Sequence, residues 1–131
     1  MKVLVTGANG FVGQAVLLRL NDMSDVTVIG SARRAPIFGN AGTRLAIVSE
    51  LSAQTDWSVA LSGVQAMVHT AAHGPHARGS RRDSLTEFRR VNVEGTLNLA
   101  RQAAAMGVRR FVFISSIKVN GEHTLPGQPY T

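Results

Sequence analysis

Cysteine is absent from the 131 residues, which removes disulfides and thiolate metal sites and fits a cytoplasmic protein. Aromatic residues are scarce at 5%, with a single Trp57 and a single Tyr130. Acidic residues number 8 against 14 basic ones, giving a net charge of +6 and a pI near 11.3. The arginines come in clusters: Arg33-Arg34, Arg78 with Arg81-Arg82, Arg89-Arg90 and Arg109-Arg110. Nucleic acid is the first partner such a balance suggests. Without aromatic residues interleaved among the basic ones, an anionic small ligand and a solvated surface account for the charge better. No apolar run reaches the length of a membrane span, and no leader-like segment precedes the apolar run that begins at Val3. A hydrophobic content of 44% and a mean hydropathy of +0.06 exclude a disordered chain. The length suits one domain, residues 1–131, with a core of its own.

Glycine, by contrast, is placed with purpose at the start of the chain. The apolar run Val3-Leu4-Val5-Thr6 reads as a short buried strand, and an apolar helical pattern starts at Phe11. Between them stand Gly7, Gly10 and Gly13 at intervals of three. A glycine-rich turn joining a buried strand to a helix is how a βαβ fold holds a diphosphate. Gly7 permits the tight turn, Gly10 lets the backbone approach the phosphates, and Gly13 lets the helix press on the sheet. The free N–H groups and the dipole at the helix start favour the anion.

The remaining chain alternates strand and helix. The first helix is expected over residues 11–21, with Val12, Ala15, Val16 and Leu20 on its inner face, widened by Leu17. The second strand is Val26-Thr27-Val28-Ile29. It leads to Gly30-Ser31-Ala32-Arg33-Arg34, where the acid that would accept from an NAD ribose is missing. Arg33 and Arg34 suit the 2′-phosphate of NADP, or form a solvated loop. Residues 35–42 read as an irregular loop, and Leu45-Ala46-Ile47-Val48 as the third strand. Glu50 follows, placed to accept from the exocyclic amine of adenine with Leu51 against the ring, or else to serve as an ordinary helix-approach acid. Thr55 or Asp56 caps a short helix bearing Trp57, Ala60 and Leu61 and stopped by Gly63.

The fourth strand is Ala66-Met67-Val68-His69-Thr70-Ala71-Ala72, whose small end lets a cofactor lie against it. His69 reads as a structural histidine rather than a catalyst. His73 and His76, without cysteine or clustered acids, make a poor metal site, so no metal is expected. The basic stretch 73–82 is a solvated loop or a contact for substrate phosphate. A long helix is predicted over residues 83–106, closed by Gly107, with Phe88, Asn92, Gly95, Leu99, Ala103 and Met106 on its sheet-facing stripe. Asn92 places an amide on that stripe, which requires partners. The fifth strand, Arg110-Phe111-Val112-Phe113-Ile114, ends in Ser115-Ser116, where open α/β sheets bind ligands.

Five motifs thus stand in order: Thr6-Gly7-Ala8-Asn9-Gly10-Phe11-Val12-Gly13, Glu50-Leu51, Val68-His69-Thr70-Ala71-Ala72, Asn92-Val93-Glu94-Gly95-Thr96 and Ser115-Ser116-Ile117-Lys118-Val119-Asn120-Gly121. Together they resemble the N-terminal portion of an extended short-chain dehydrogenase/reductase of the NAD-dependent epimerase/dehydratase family. The likeness is strongest to bacterial nucleotide-sugar epimerases of the UDP-glucose 4-epimerase type. The resemblance implies a pyrophosphate site over Gly7, Asn9, Gly10, Phe11, Val12 and Gly13, and adenine recognition at Glu50, where relatives usually carry Asp. It also implies a cofactor lining at Thr70, Ala71, Ala72 and Asn92, and a role for Ser116 at the sugar hydroxyl that is oxidised. The cofactor is NAD or NADP, the latter slightly preferred, and the parent protein's substrate an NDP-sugar.

The family's proton chemistry rests on Tyr-x-x-x-Lys after the fifth strand, with the tyrosine as general base. Tyr130 is followed only by Thr131 and falls in the loop before that helix, and Asn120 stands where many relatives carry tyrosine. The expectation is therefore a fragment: a Rossmann-like, doubly wound parallel sheet of order 3-2-1-4-5, truncated after the fifth strand, that binds dinucleotide without turnover. The alternative is a non-catalytic NAD(P)-binding sensor. No nucleic-acid or membrane partner is expected. The edge beyond the fifth strand is expected to expose an apolar patch through which the chain self-associates.

Overall fold

A computed structural model describes residues 1–34, 44–74, 84–121, 123–124 and 126–130. The loop read over 35–42, and residues 75–82 of the basic stretch, lie outside them.

Five strands, β1 (Lys2–Thr6), β2 (Thr27–Ala32), β3 (Arg44–Ile47), β4 (Ala66–His69) and β5 (Arg110–Phe113), form one parallel sheet in the order β3-β2-β1-β4-β5. The expected order is the observed one. Central β1 explains why its sequence is apolar without alternation, since both of its faces are covered. Val3 and Val5 join Ala8, Leu17, Val28 and Ala66 in one core, while Leu4 joins Ile29, Trp57, Leu61, Met67 and Leu99 in the other. Helix α1 (Phe11–Asn21) covers the first face. Helix α2 (Ser58–Leu61) and the chain from α3 (Ser84–Phe88) to α4 (Thr96–Ala105) cover the second.

Two helices differ from the periodicity reading. On α1 the inward residues are Gly13 and Leu17, with Val16 and Leu20 half-buried, whereas Val12 is 44% exposed and Ala15 also faces out. Glycine carries no hydrophobic signal, so a pattern of apolar side chains misplaces a face centred on it. The second difference is in the long helix. Its middle, Arg89–Gly95, is a π-helix between α3 and α4. Val91 lies in the core with Gly95, Leu99 and Ala103, at intervals of four, while Asn92 is half-buried at the edge of that stripe. Met106 faces solvent beyond the end of α4. At α2, the Asp56 side chain accepts from Ser58 N–H at 2.8 Å, while Thr55 turns back to the Glu50 carbonyl.

Candidate dinucleotide site

The carboxyl ends of β1, β2 and β4 converge at the point where the strand order reverses, and a groove of ≈ 750 Å³ opens there. Thr6 at the end of β1 stands beside Ser31 on one side and His69 on the other. The chain then turns through Gly7, at φ +70°, into α1. Alanine could not replace Gly7. A Cβ there would lie 2.7 Å from Thr70 Oγ1 and 2.8 Å from the Ala71 nitrogen. Gly13 is tighter still, its imagined Cβ falling 2.1 Å from the Gly7 carbonyl oxygen. Gly10 N–H donates to the Gly7 carbonyl at 2.8 Å. The N-cap of α1 is Gly10, which has no side chain to satisfy the helix's first N–H groups, and a helix start of this kind suits an anion. These features fit an anionic diphosphate.

The flanks of the groove come from β2, from the segment after β3 and from β4. Asn9 Nδ2 donates to the Arg34 carbonyl at 3.0 Å, tying the glycine turn to the arginine pair. Arg33 and Arg34 are exposed at the rim. Leu51 is buried beneath the groove against Gly95, where a Cβ would stand 2.8 Å from Leu51 Cγ. Glu50 lines the groove with one oxygen engaged, Oε1 accepting from Arg90 Nη2 at 2.7 Å. Arg90 also donates to both oxygens of Glu87, at 2.9 and 2.6 Å. The Glu87 hydrogen bond, followed by the one to Glu50, raises the Arg90 pKa, and Arg90 in turn holds the Glu87 carboxyl below its usual range.

The β4 side carries Thr70, Ala71, Ala72 and His73. Thr70 Oγ1 donates to the Thr6 carbonyl at 2.6 Å. Asn92 finds the partners its position demands. Its Oδ1 accepts from His73 N–H at 2.7 Å, and its Nδ2 donates to the His73 carbonyl at 3.1 Å. The His73 ring meets Phe88 edge-on at 5.0 Å. His69 is buried as expected of a structural histidine, and burial pushes its pKa down to about 4.

Of the expected site residues, Gly7, Asn9, Gly10, Arg33, Arg34, Glu50, Leu51, Thr70, Ala71 and Ala72 line this one groove. Gly13 lies under the turn, and Asn92 acts from behind His73. Phe11, 94% exposed, and Val12 sit on the outer surface of α1. Ser116 is exposed beyond β5 and caps the 3-10 turn Ile117–Asn120, its Oγ accepting from Lys118 N–H at 3.2 Å. The sequence reading missed Trp57, Val91 and Arg90 as parts of the site. Trp57 and Val91 line it from the core, and the Trp57 indole N–H is buried with no hydrogen-bond partner among the described residues. The spacing of Glu87 and Arg90, three apart on one helix, was the available signal for Arg90.

Comparison with known proteins agrees with this geometry. The model of the NAD dependent epimerase/dehydratase family matches residues 3–131. A UDP-glucose 4-epimerase from Vibrio cholerae is 42% identical over 128 residues, covering 98% of this chain and 38% of that protein. A short-chain dehydrogenase/reductase superfamily protein from Agrobacterium tumefaciens, solved with bound NAD, superposes with a TM-score of 0.74 at 36% identity, covering 92% of this chain and 34% of that one. MoeE5 in complex with UDP-glucose and NAD gives a TM-score of 0.74 at 30% identity, over 94% of this chain and 39% of that one. The chain thus spans somewhat over a third of the length of these proteins. With its parallel sheet, its glycine turn and a family match over nearly every residue, the chain belongs to the NAD-dependent epimerase/dehydratase family.

Proposed function

We propose that residues 1–131 are the dinucleotide-binding Rossmann domain of a cytoplasmic nucleotide-sugar epimerase or dehydratase, and that this chain alone binds dinucleotide without turning over sugar. One observation carries the reading: a single groove at the sheet's switch point joins the glycine turn, the arginine pair, Glu50-Leu51 and the small end of β4. The dinucleotide, when bound, supplies reversible hydride transfer at a sugar carbon. Gly7, Gly10 and the start of α1 would hold its diphosphate, and Glu50 and Leu51 its adenine. Arg33 and Arg34, with no acid after β2, favour NADP slightly over NAD. Ser116 is assigned to the sugar hydroxyl, and the substrate of the whole protein is an NDP-sugar. A second reading, a non-catalytic NAD(P)-binding module, is favoured by Ser116, whose Oγ is taken up in accepting from Lys118 N–H at 3.2 Å and which is not among the residues lining the groove.

Calorimetry with ADP-ribose, NAD and NADP tests the proposal. The adenosine and diphosphate contacts are all within this chain, so ADP-ribose is expected to bind about as well as NAD. Two or three missing charge-assisted hydrogen bonds at the nicotinamide end, at roughly 1.5–3 kcal/mol each, leave affinity at least about a hundredfold weaker than in a complete site. Marked preference for NAD over ADP-ribose, or measurable epimerase turnover, would show that the catalytic groups are misplaced.

A further inference from the structure

His69 does not line the groove, and both of its ring nitrogens are engaged beneath it. Nδ1 lies 2.6 Å from Thr6 Oγ1, and Nε2 lies 3.0 Å from Thr96 Oγ1 at the start of α4. Two rings of β5 lie beside it, Phe113 stacked at 5.9 Å and Phe111 tilted at 6.0 Å. Thr6 Oγ1 also accepts from Ala71 N–H at 3.4 Å, and its own proton can be donated to Nδ1 when that nitrogen carries none. In that tautomer Nε2 carries the ring hydrogen and donates it to Thr96.

Thr6 is the hub of this arrangement. Its carbonyl accepts from Thr70 Oγ1 at 2.6 Å and from Thr70 N–H at 3.4 Å, and its hydroxyl accepts from Ala71 N–H. Thr70 and Ala71 are the residues on which the Gly7 turn is seated, closely enough that a single Cβ would collide with both. We propose that His69 is a positioning residue for diphosphate binding: by accepting the Thr6 hydroxyl proton at Nδ1, it fixes the Thr70-Ala71 seat of the Gly7 turn. This rests on the dinucleotide reading of the groove. It adds a role for a residue that touches no ligand and acts through Thr6.

The two amide replacements separate this role from bulk packing. The Oδ1 of His69→Asn falls near the position of Nδ1 and keeps an acceptor for Thr6. The amide of His69→Gln reaches toward the Nε2 position and serves Thr96 instead. Both lose ring packing, and Asn, the smaller, loses more, so a purely structural residue would suffer at least as much from His69→Asn as from His69→Gln. ADP-ribose binding is measured by calorimetry on the full chain, well below the unfolding temperature of each variant. His69→Gln is expected to weaken binding at least about threefold more than His69→Asn, and Thr6→Val to weaken it about five- to tenfold. The wild-type chain provides an arm that needs no variant to fold. Nitrogen NMR is expected to find Nδ1 unprotonated and Nε2 protonated, with the Nδ1 signal moving on addition of ADP-ribose. A proton on Nδ1, equal weakening by the two amides, or binding unaffected in both would overturn the role of His69. Wild-type chain that binds no ADP-ribose would overturn the dinucleotide reading itself.

Discussion

Gly13 illustrates how a single hydrogen in place of a methyl holds the site together. Its imagined Cβ falls 2.1 Å from a backbone oxygen that cannot rotate away. Gly13→Ala must therefore push α1 off the Gly7 turn. Chemical denaturation is expected to show a loss of about 3 kcal/mol, accompanied by loss of ADP-ribose binding. His69 supplies the second residue-scale test. Its folded pKa is depressed from 6.5 to about 4, so below pH 6.5 the unfolded chain takes up a proton that the folded chain refuses. Stability is then constant above about pH 7 and falls between pH 6.5 and 4, by roughly 1.4 kcal/mol per unit at most. Asp56, lowered by hydrogen bonds from Ser58, and Glu87, lowered by Arg90, lose their contributions only as pH falls below ordinary carboxylate values. Melting temperature against pH for wild type and His69→Asn separates the two windows, and the variant should lack the slope above pH 4.5.

Among the elements, the π-helix Arg89–Gly95 has the widest effect on the groove. Within it Val91 and Gly95 enter the core in line with Leu99 and Ala103, while Asn92 reaches His73 and Arg90 reaches Glu50. The clamp of Asn92 on both backbone groups of His73 orders the strand-end loop at the groove. Asn92→Leu leaves that N–H and C=O without partners, and is expected to cost about 1–3 kcal/mol of stability. Proteolysis and amide exchange should then locate the loosening at residues 71–74. Faster exchange spread evenly over the sheet would argue that Asn92 is no more than a packing residue. The resemblance identified Asn92 as important, and its place on an apolar stripe showed that it needed partners. The partner's identity was not legible, because nothing in linear order connects Asn92 to a carbonyl and an N–H nineteen positions earlier.

At the scale of the whole molecule, β3 and β5 are the two edges of the sheet, each with one neighbouring strand among the described residues. β5 has β4 as its single neighbour, and around it Val112, Phe113 (54% exposed), Ile114, Ile117 and Val119 (75% exposed) face out. An unpaired parallel strand with apolar side chains beside it is an adhesive surface. The chain is expected to self-associate through it. Light scattering should show mass rising with concentration, and Val119→Lys should shift the equilibrium toward monomer without altering ADP-ribose affinity. A clean monomer at high concentration would refute the expectation. Among the described residues no helix is long and apolar enough to cross a membrane.

What the sequence by itself determined is whatever rests on short-range pattern. The strands are brief apolar runs, the diphosphate turn is a glycine spacing, and alternating strand and helix implies a parallel sheet, for which the family resemblance implies the order 3-2-1-4-5. Tertiary structure decided what depends on contacts between distant segments. It centred the inner face of α1 on Gly13 and Leu17, because a glycine pressed on the Gly7 carbonyl leaves no trace in a hydrophobic pattern. It set the wide turn at Arg89–Gly95, where Gly95 meets Leu51 and Asn92 meets His73, because a change of hydrogen-bond step within a helix leaves the side-chain spacing unmarked. It also gave His69 its partners Thr6 and Thr96, because only sheet register and helix packing bring residues 63 and 27 positions away to the two sides of one imidazole ring.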